Sequence, residues 1–392
     1  MIVWPFFPNW KSRYTETYEY LTEIITSDSG KEQRRAWRQT ARRSASYRAL
    51  VQRDRLRALR RLLLTRGGQL VFPDEVRRAQ TLMPSTGATV QFALPLPPWL
   101  AAGRQVIFED RRTRQRELRS VDLVVGGVVT FAAPSDSEWA SGTRVMPALV
   151  GTLSTSVRSS AVTNEATETP VDLNVEPGTE IEEPGLAADT FGGLEVFTHR
   201  PDWSERIEFE TIDPTTWTDF GIGVRAAYRA VDFVSEVIRH SHLIRTSDHL
   251  DQVLGLFQRS RGRQGEFYAP SWLNDITLAA PTAAGSKVFT VEGHEFHDAY
   301  ADDTVRRCFM VRMSDGTRQY FRIESMAKSV AGPPLTLITT TAPAATDINA
   351  ATASAISWMP VCRFASDSMT VSWITNTVAE ITVNLQTLED LP

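Results

Sequence analysis

Apolar residues recur along this chain in two rhythms. Leu250, Val253, Leu254 and Phe257 fall at i, i+3, i+4 and i+7, one face of an amphipathic helix. Thr246, Ser247 and Asp248 precede it as N-cap candidates, and Gly262 follows as a stop. Leu56, Leu59 and Leu63 repeat the stripe near the start, where Gly67-Gly68 ends it. Almost everything else reads as strand. "RCFMVRMSDGTRQYFRIE" is two alternating runs around Asp315-Gly316, and "VDLVVGGVVTF" turns on Gly126-Gly127. "SMTVSWITNTVAEITVNLQ" turns near Asn376. The pattern predicts a mainly β fold with α (α+β).

The elements also repeat in order. "LRALRRLLLTRGGQLVFP" (56–73) answers "LDQVLGLFQRSRGRQGEFYAP" (250–270), and "PNW" (8–10) answers "PDW" (201–203). "QVIFEDRRTRQRELRSV" aligns with "RCFMVRMSDGTRQYFRIES", "VMPALV" with "WMPVCR", and "VDLNV" with "ITVNL". We read two tandem homologous antiparallel β-domains, each with one amphipathic helix and a β-hairpin insertion. The first spans 1–178 with an insertion at about 85–140. An acidic Pro/Gly linker occupies 179–189, and the second domain spans 190–392 with an insertion at about 280–345. From Asn164 to Asp189 there are eight acidic residues and no basic ones.

Composition narrows the class. The chain has 392 residues, enough for two or three ordinary domains, with 42% hydrophobic residues and 10 tryptophans against bulk disorder. A net charge of −5 gives no global pull towards nucleic acid or an anionic membrane. Cys308 and Cys362 are too few for a disulfide framework and read as reduced, packed thiols. "MIVWPFFPNW" does not read as a signal peptide, and no run approaches the roughly 18 apolar residues of a membrane helix.

Candidate chemistry is sparse. "HEFHD" (294–298) lacks the His-Glu-x-x-His spacing of a zinc site and has no equivalent in the first copy; His240, His242 and His249 are scattered. No nucleophile elbow, phosphate-cradling loop or dinucleotide fingerprint occurs. The reading is therefore a non-enzyme, with no catalytic residue, cofactor or metal. Charge is the sharper feature: Arg34–Arg66 holds twelve arginines against Asp54 alone. One reading is a nucleic-acid-binding module using that basic face. The reading preferred here makes it a protein interface, with Arg34, Arg35, Arg38, Arg42 and Arg43 set against the acidic Glu165, Glu168, Glu180 and Glu182. Asp315 and Gly316, at the tip of the predicted hairpin, complete the candidate contacts. In "FQRSRGRQGEFYAPSW" (257–272), Arg261-Gly262 reads as a helix exit and Phe267-Tyr268 as the next strand, in preference to a base-stacking surface. A carbohydrate-binding or hydrolytic reading would use exposed aromatics such as Trp99 or Trp139, for which core or interface packing is the preferred reading.

"SGKEQRRAWRQTARRSASYRAL" (29–50), a helix, and an Arg-Gly turn into an aromatic strand resemble the distal tail and tail-tip proteins of long-tailed bacteriophages and gene transfer agents. Gly30, Glu32, Gln33 and Arg34 echo their entry stretch. Arg261-Gly262-Arg263-Gln264-Gly265-Glu266-Phe267 and Trp272 echo their helix exit. The resemblance covers about 8–80 and 200–275. It implies a virion protein at the tail tip, assembled in the host cytoplasm, whose ring joins the tail tube protein to the baseplate hub and fibre proteins. It implies no membrane and no specific nucleic-acid partner. Tubes in that family are sixfold and hubs threefold, so a chain with two copies is expected to form a homotrimer with itself; a hexamer is the alternative.

Overall fold

The structure, a computed structural model, describes residues 2–390 apart from 28–29, 53, 65–68, 86, 111, 114, 155–156, 179–187, 204, 230 and 232. Alternation becomes strand over nearly half of it, and the fold is mainly β with few helices. In β5 (Arg42–Gln52), Arg43, Ala45, Tyr47, Ala49 and Val51 point inward while the residues between them face out.

The N-terminal half runs β1 (Ile2–Val3), β2 (Tyr14–Glu19), β3 (Thr22–Thr26), β4 (Glu32–Ala36), β5, α1 (Asp54–Leu64) and β6 (Leu70–Pro73). Short strands follow: β7 (Ala79–Gln80), β8 (Thr89–Gln91), β9 (Gln105–Glu109), β10 (Arg116–Val125) and β11 (Val128–Phe131). The half closes with β12 (Arg144–Leu153), β13 (Ser160–Ala161) and β14 (Ala166–Val175).

The C-terminal half begins with β15 (Thr190–Phe191), β16 (Leu194–Glu195), β17 (Glu208–Ile212), β18 (Thr215–Thr218), β19 (Ala226–Arg229) and β20 (Ser235–Ile244). The helix is α2 (Ser247–Leu250), a π-helical turn (Asp251–Gly255) and α3 (Leu256–Arg259), capped by Thr246 Oγ1 accepting from His249 N. Its stripe of Leu250, Val253, Leu254 and Phe257 is buried. Arg261 and Gly262 then take positive φ. A Cβ on Gly262 would lie 2.6 Å from Asp367 Oδ1, so glycine is needed for conformation and for close approach. Next come β21 (Phe267–Tyr268), β22 (Val288–Glu292), α4 (Glu295–Tyr300), β23 (Cys308–Met313), β24 (Arg318–Lys328), β25 (Leu335–Thr340), β26 (Ala353–Trp358), β27 (Val361–Phe364), β28 (Ser368–Trp373) and β29 (Ala379–Thr387).

The two halves pair their strands by one scheme. β5 lies between β2 and β14, β14 also pairs β12, β12 pairs β6, and β6 takes β1 in parallel. Likewise β20 lies between β17 and β29, β29 also pairs β27, β27 pairs β21, and Val196 makes a parallel bridge to Tyr268. Isolated bonds agree: Asn9 N donates to Arg48 O and Asp202 N to Ser241 O, while Val162 N donates to Ala166 O and Ile374 N to Val378 O.

The two segments expected as hairpin insertions build more strands than one hairpin holds. The second is a five-stranded sheet, β22-β25-β24-β23-β26, with α4 beside it and its own core of Phe289, Phe309, Phe321, Ile338 and Trp358. It runs past residue 345 because Ile356 and Trp358 of β26 complete that core. In the first, β8–β11 build onto β12 around Phe108, Phe131 and Trp139. The main core is continuous across the halves, as where Tyr20 meets Phe257 edge-on at 5.6 Å. Among the described residues no helix is long and apolar enough to cross a membrane.

Candidate assembly interface

The halves meet strand to strand. β2 pairs antiparallel with β28 over six positions, from Tyr14 opposite Trp373 to Glu19 opposite Ser368. Its inward residues Tyr14, Glu16 and Tyr18 are buried. Glu16 needs a counter-charge there, and Arg43 supplies it, bonded to Glu16 and, at 2.8 Å, to Asp74. Arg77 adds contacts of 3.1 Å to Asp74 and to Tyr18 Oη. Burial disfavours the Arg43 charge, yet Asp74 and Glu16 hold its pKa above the usual arginine range.

Around this pairing the N-terminal half grips its neighbour. The Arg13–Glu380 contact is 2.5 Å, and the Thr17 and Thr370 hydroxyls are 3.1 Å apart. Asp367 accepts from Thr22 N at 2.6 Å, Thr22 Oγ1 at 2.9 Å and Arg263 N at 2.9 Å. The β3–β4 hairpin folds over the seam: Glu32 takes two 2.8 Å bonds from Arg363, and Arg34 reaches Gln264 O and Glu266. At its turn, a Cβ on Gly30 would stand 2.8 Å from Val231 Cγ1.

Several expected surface residues therefore sit elsewhere. Arg43 is not on a basic face; strand alternation turns it inward onto two carboxylates. Arg34 is spent on Glu32 and Glu266 inside the chain. Arg38 lies 3.3 Å from Glu19, Arg35 stacks 4.4 Å over Trp37, and Arg42 is exposed. Glu168 already meets Arg48 at 3.1 Å, and Glu165 is exposed in the β13–β14 turn. Glu180 and Glu182 lie outside the described residues, as do Arg53 and Arg66. Asp315 accepts from Thr317 at the exposed β23–β24 turn, where Gly316 has a φ of 90°. Trp99 and Trp139 are buried, so they offer no sugar-stacking surface.

Other clusters are internal. The His242 ring neighbours Phe197, His199 and His240, and His199 neighbours His249, while burial lowers His199 and His240 to about 4. Among the described residues no group of three His, Cys, Asp or Glu side chains is placed to hold a metal.

Among the described residues, two edges have a partner on one side alone. β17 pairs only β20, and all its residues are exposed. β13 pairs only β14, and both its residues are exposed. Beside β17 the β18–β19 hairpin exposes Trp217, Phe220, Ile222, Val224 and Tyr228, the fourth at 93%. These apolar positions went unread because they alternate as any strand does; only the missing partner marks them. No family model matches the chain, and no curated protein matches it.

Proposed function

We propose that this chain is a structural virion protein of a phage tail tip, built from two homologous β-domains that work by forming a ring and docking its neighbours. The observation that carries the reading is the seam. Two halves with one pairing scheme meet through unlike surfaces, β2 of one and β28 of the other. A contact between unlike surfaces of like units is heterologous, and repetition of it closes a ring when the rotation allows. Among the described residues the second half keeps its own β2-like strand open, and the first its β28-like strand. The arginines spent on carboxylates in the seam and core weaken the nucleic-acid reading. The ring is a homotrimer of alternating halves, with pseudo-sixfold symmetry that suits a tube on one side and a hub on the other.

Gold-labelled antibody imaging of virions, joined to mass measurement of the purified assembly, tests this. Label at the tail tip and a trimeric mass support it. Label elsewhere, or a protein that stays monomeric, refutes it; a hexameric mass refutes the trimer.

A further inference from the structure

The seam inside the chain is a template for one between chains. On β5, Thr15 lies opposite Ser46; on β20, Glu208 lies opposite Arg239. Ser46 and Arg239 face Asp172 and Asn384, so Glu208 occupies the place of Thr15; the strand pairing and its flanking bonds set β29 against β14 two residues away from the alignment of "VDLNV" with "ITVNL". On the other side, Ser160 faces Glu168 as Ser372 faces Glu380, so Ser160 occupies the place of Ser372. Thr15 and Ser372 are paired in the seam.

Resting on the ring reading above, we infer that β17 of one chain pairs antiparallel with Val157–Ala161 of a second copy, with Glu208 opposite Ser160. The register then sets Phe209 against Ser159, and Glu210 against Arg158 where the seam has Thr17 against Thr370. Glu210 and Arg158 are both exposed. Opposite charges directly across a strand pair are favourable, and like charges are not. A second pair follows without adjustment: Arg206 takes the place of Arg13, and Glu168 that of Glu380, which meet at 2.5 Å within the chain. Glu168 now holds Arg48 through one oxygen, leaving the other to receive Arg206.

The flanking hairpin agrees. Within the chain, β3–β4 binds the C-terminal half through Arg34 to Glu266 and Glu32 to Arg363. By pairing register, Ala227 stands in the place of Arg34, and Gln69 and Thr152 in those of Glu266 and Arg363. The Arg34 charge and those of Glu266 and Arg363 are thus missing from both sides; Arg225, in the place of Glu32, is held at 3.0 Å by Asp219 of its own hairpin, and β18–β19 presents Trp217 and Tyr228 instead. The occupant that fits an open strand edge with matched charge and an apolar flank is another copy of this chain.

A charge swap tests the register on the full-length protein. Glu210→Arg and Arg158→Glu each replace attraction by repulsion at an exposed site. Each is expected to weaken self-association roughly tenfold by analytical ultracentrifugation, and the double variant to restore it. In parallel, Glu208→Cys with Ser160→Cys is expected to yield disulfide-linked oligomers on mild oxidation; native Cys308 and Cys362 are buried. Unimpaired single variants, an unrescued double variant, or uncrosslinked cysteines in a protein that still oligomerises overturn this seam and leave the ring standing. A wild-type chain that never self-associates overturns both.

Discussion

Strands β2 and β17 hold the same place beside their long neighbours β5 and β20, yet only one of them is covered. β2 lies between β5 and β28, with Glu16 buried on Arg43; among the described residues β17 has β20 alone, with Phe209, in the matching position, 44% exposed. The difference teaches that burial of this strand comes from a second edge, not from its own half. A buried charge is tolerated in β2 because partners enclose and pair it; β17 carries its charges, Glu208 and Glu210, into solvent.

The largest test of that contrast is Arg43→Ala, which leaves Glu16 and Asp74 buried without it. We expect a loss of about 3–5 kcal/mol by chemical denaturation. A loss under about 1 kcal/mol, the range of exposed ion pairs, would mean that β2 is no better anchored than β17. Asp367→Ala comes next. It removes the acceptor of Thr22 and Arg263 at the seam and should cost about 1–3 kcal/mol. Hydrogen exchange should quicken in β2 and β28 together while β17 stays as it was; unchanged exchange in β2 would show that the seam does not hold it.

The halves should also answer pH in opposite senses. Burial lowers His199 and His240 from 6.5 to about 4, so the neutral form is favoured on folding. Their contribution is present above pH 6.5 and lost as pH falls through about 4, on the order of a few kcal/mol. Glu75 is the reverse. Burial, helped by Glu109 and opposed by Arg116, raises it to about 7 from 4.5. The contribution from Glu75 is present below pH 4.5 and lost as pH rises through about 7. Segment-resolved hydrogen exchange from pH 4 to 7 should show the C-terminal half gaining protection as the N-terminal half loses some; parallel trends would contradict it. The smallest effect belongs to Arg38→Ala. Its pair with the exposed Glu19 should be worth about 0–1 kcal/mol in thermal unfolding, and a larger loss would make it part of the seam.

Local rhythm made part of this molecule readable. The mainly β character follows from period-two runs, and the helical face of Leu250, Val253, Leu254 and Phe257 from its spacing. The π-helical turn within that helix leaves the stripe intact and so leaves no trace. Arg43 misled because a run of arginines reads as wet surface, while its partners Glu16 and Asp74 come from other elements. Trp99 and Trp139 admitted two readings because tryptophan serves cores and sugar sites alike, and both are buried as the core reading has them. The seam itself was illegible: Tyr14 and Trp373 carry no mutual signal, and only the folded sheet brings them opposite.

That separation along the chain has a consequence in time. β2 leaves the ribosome about 350 residues ahead of β28. Throughout synthesis β2 presents an unpaired edge beside β5, and the long loop that must close between them is slow to form. An unpaired edge accepts whichever complementary strand arrives first. On a polysome, a finished chain's β28 is within reach of its neighbour's β2 before that neighbour has made its own. Slow or crowded translation should therefore favour chains that exchange C-terminal strands, and chaperones that shield edges should suppress the exchange.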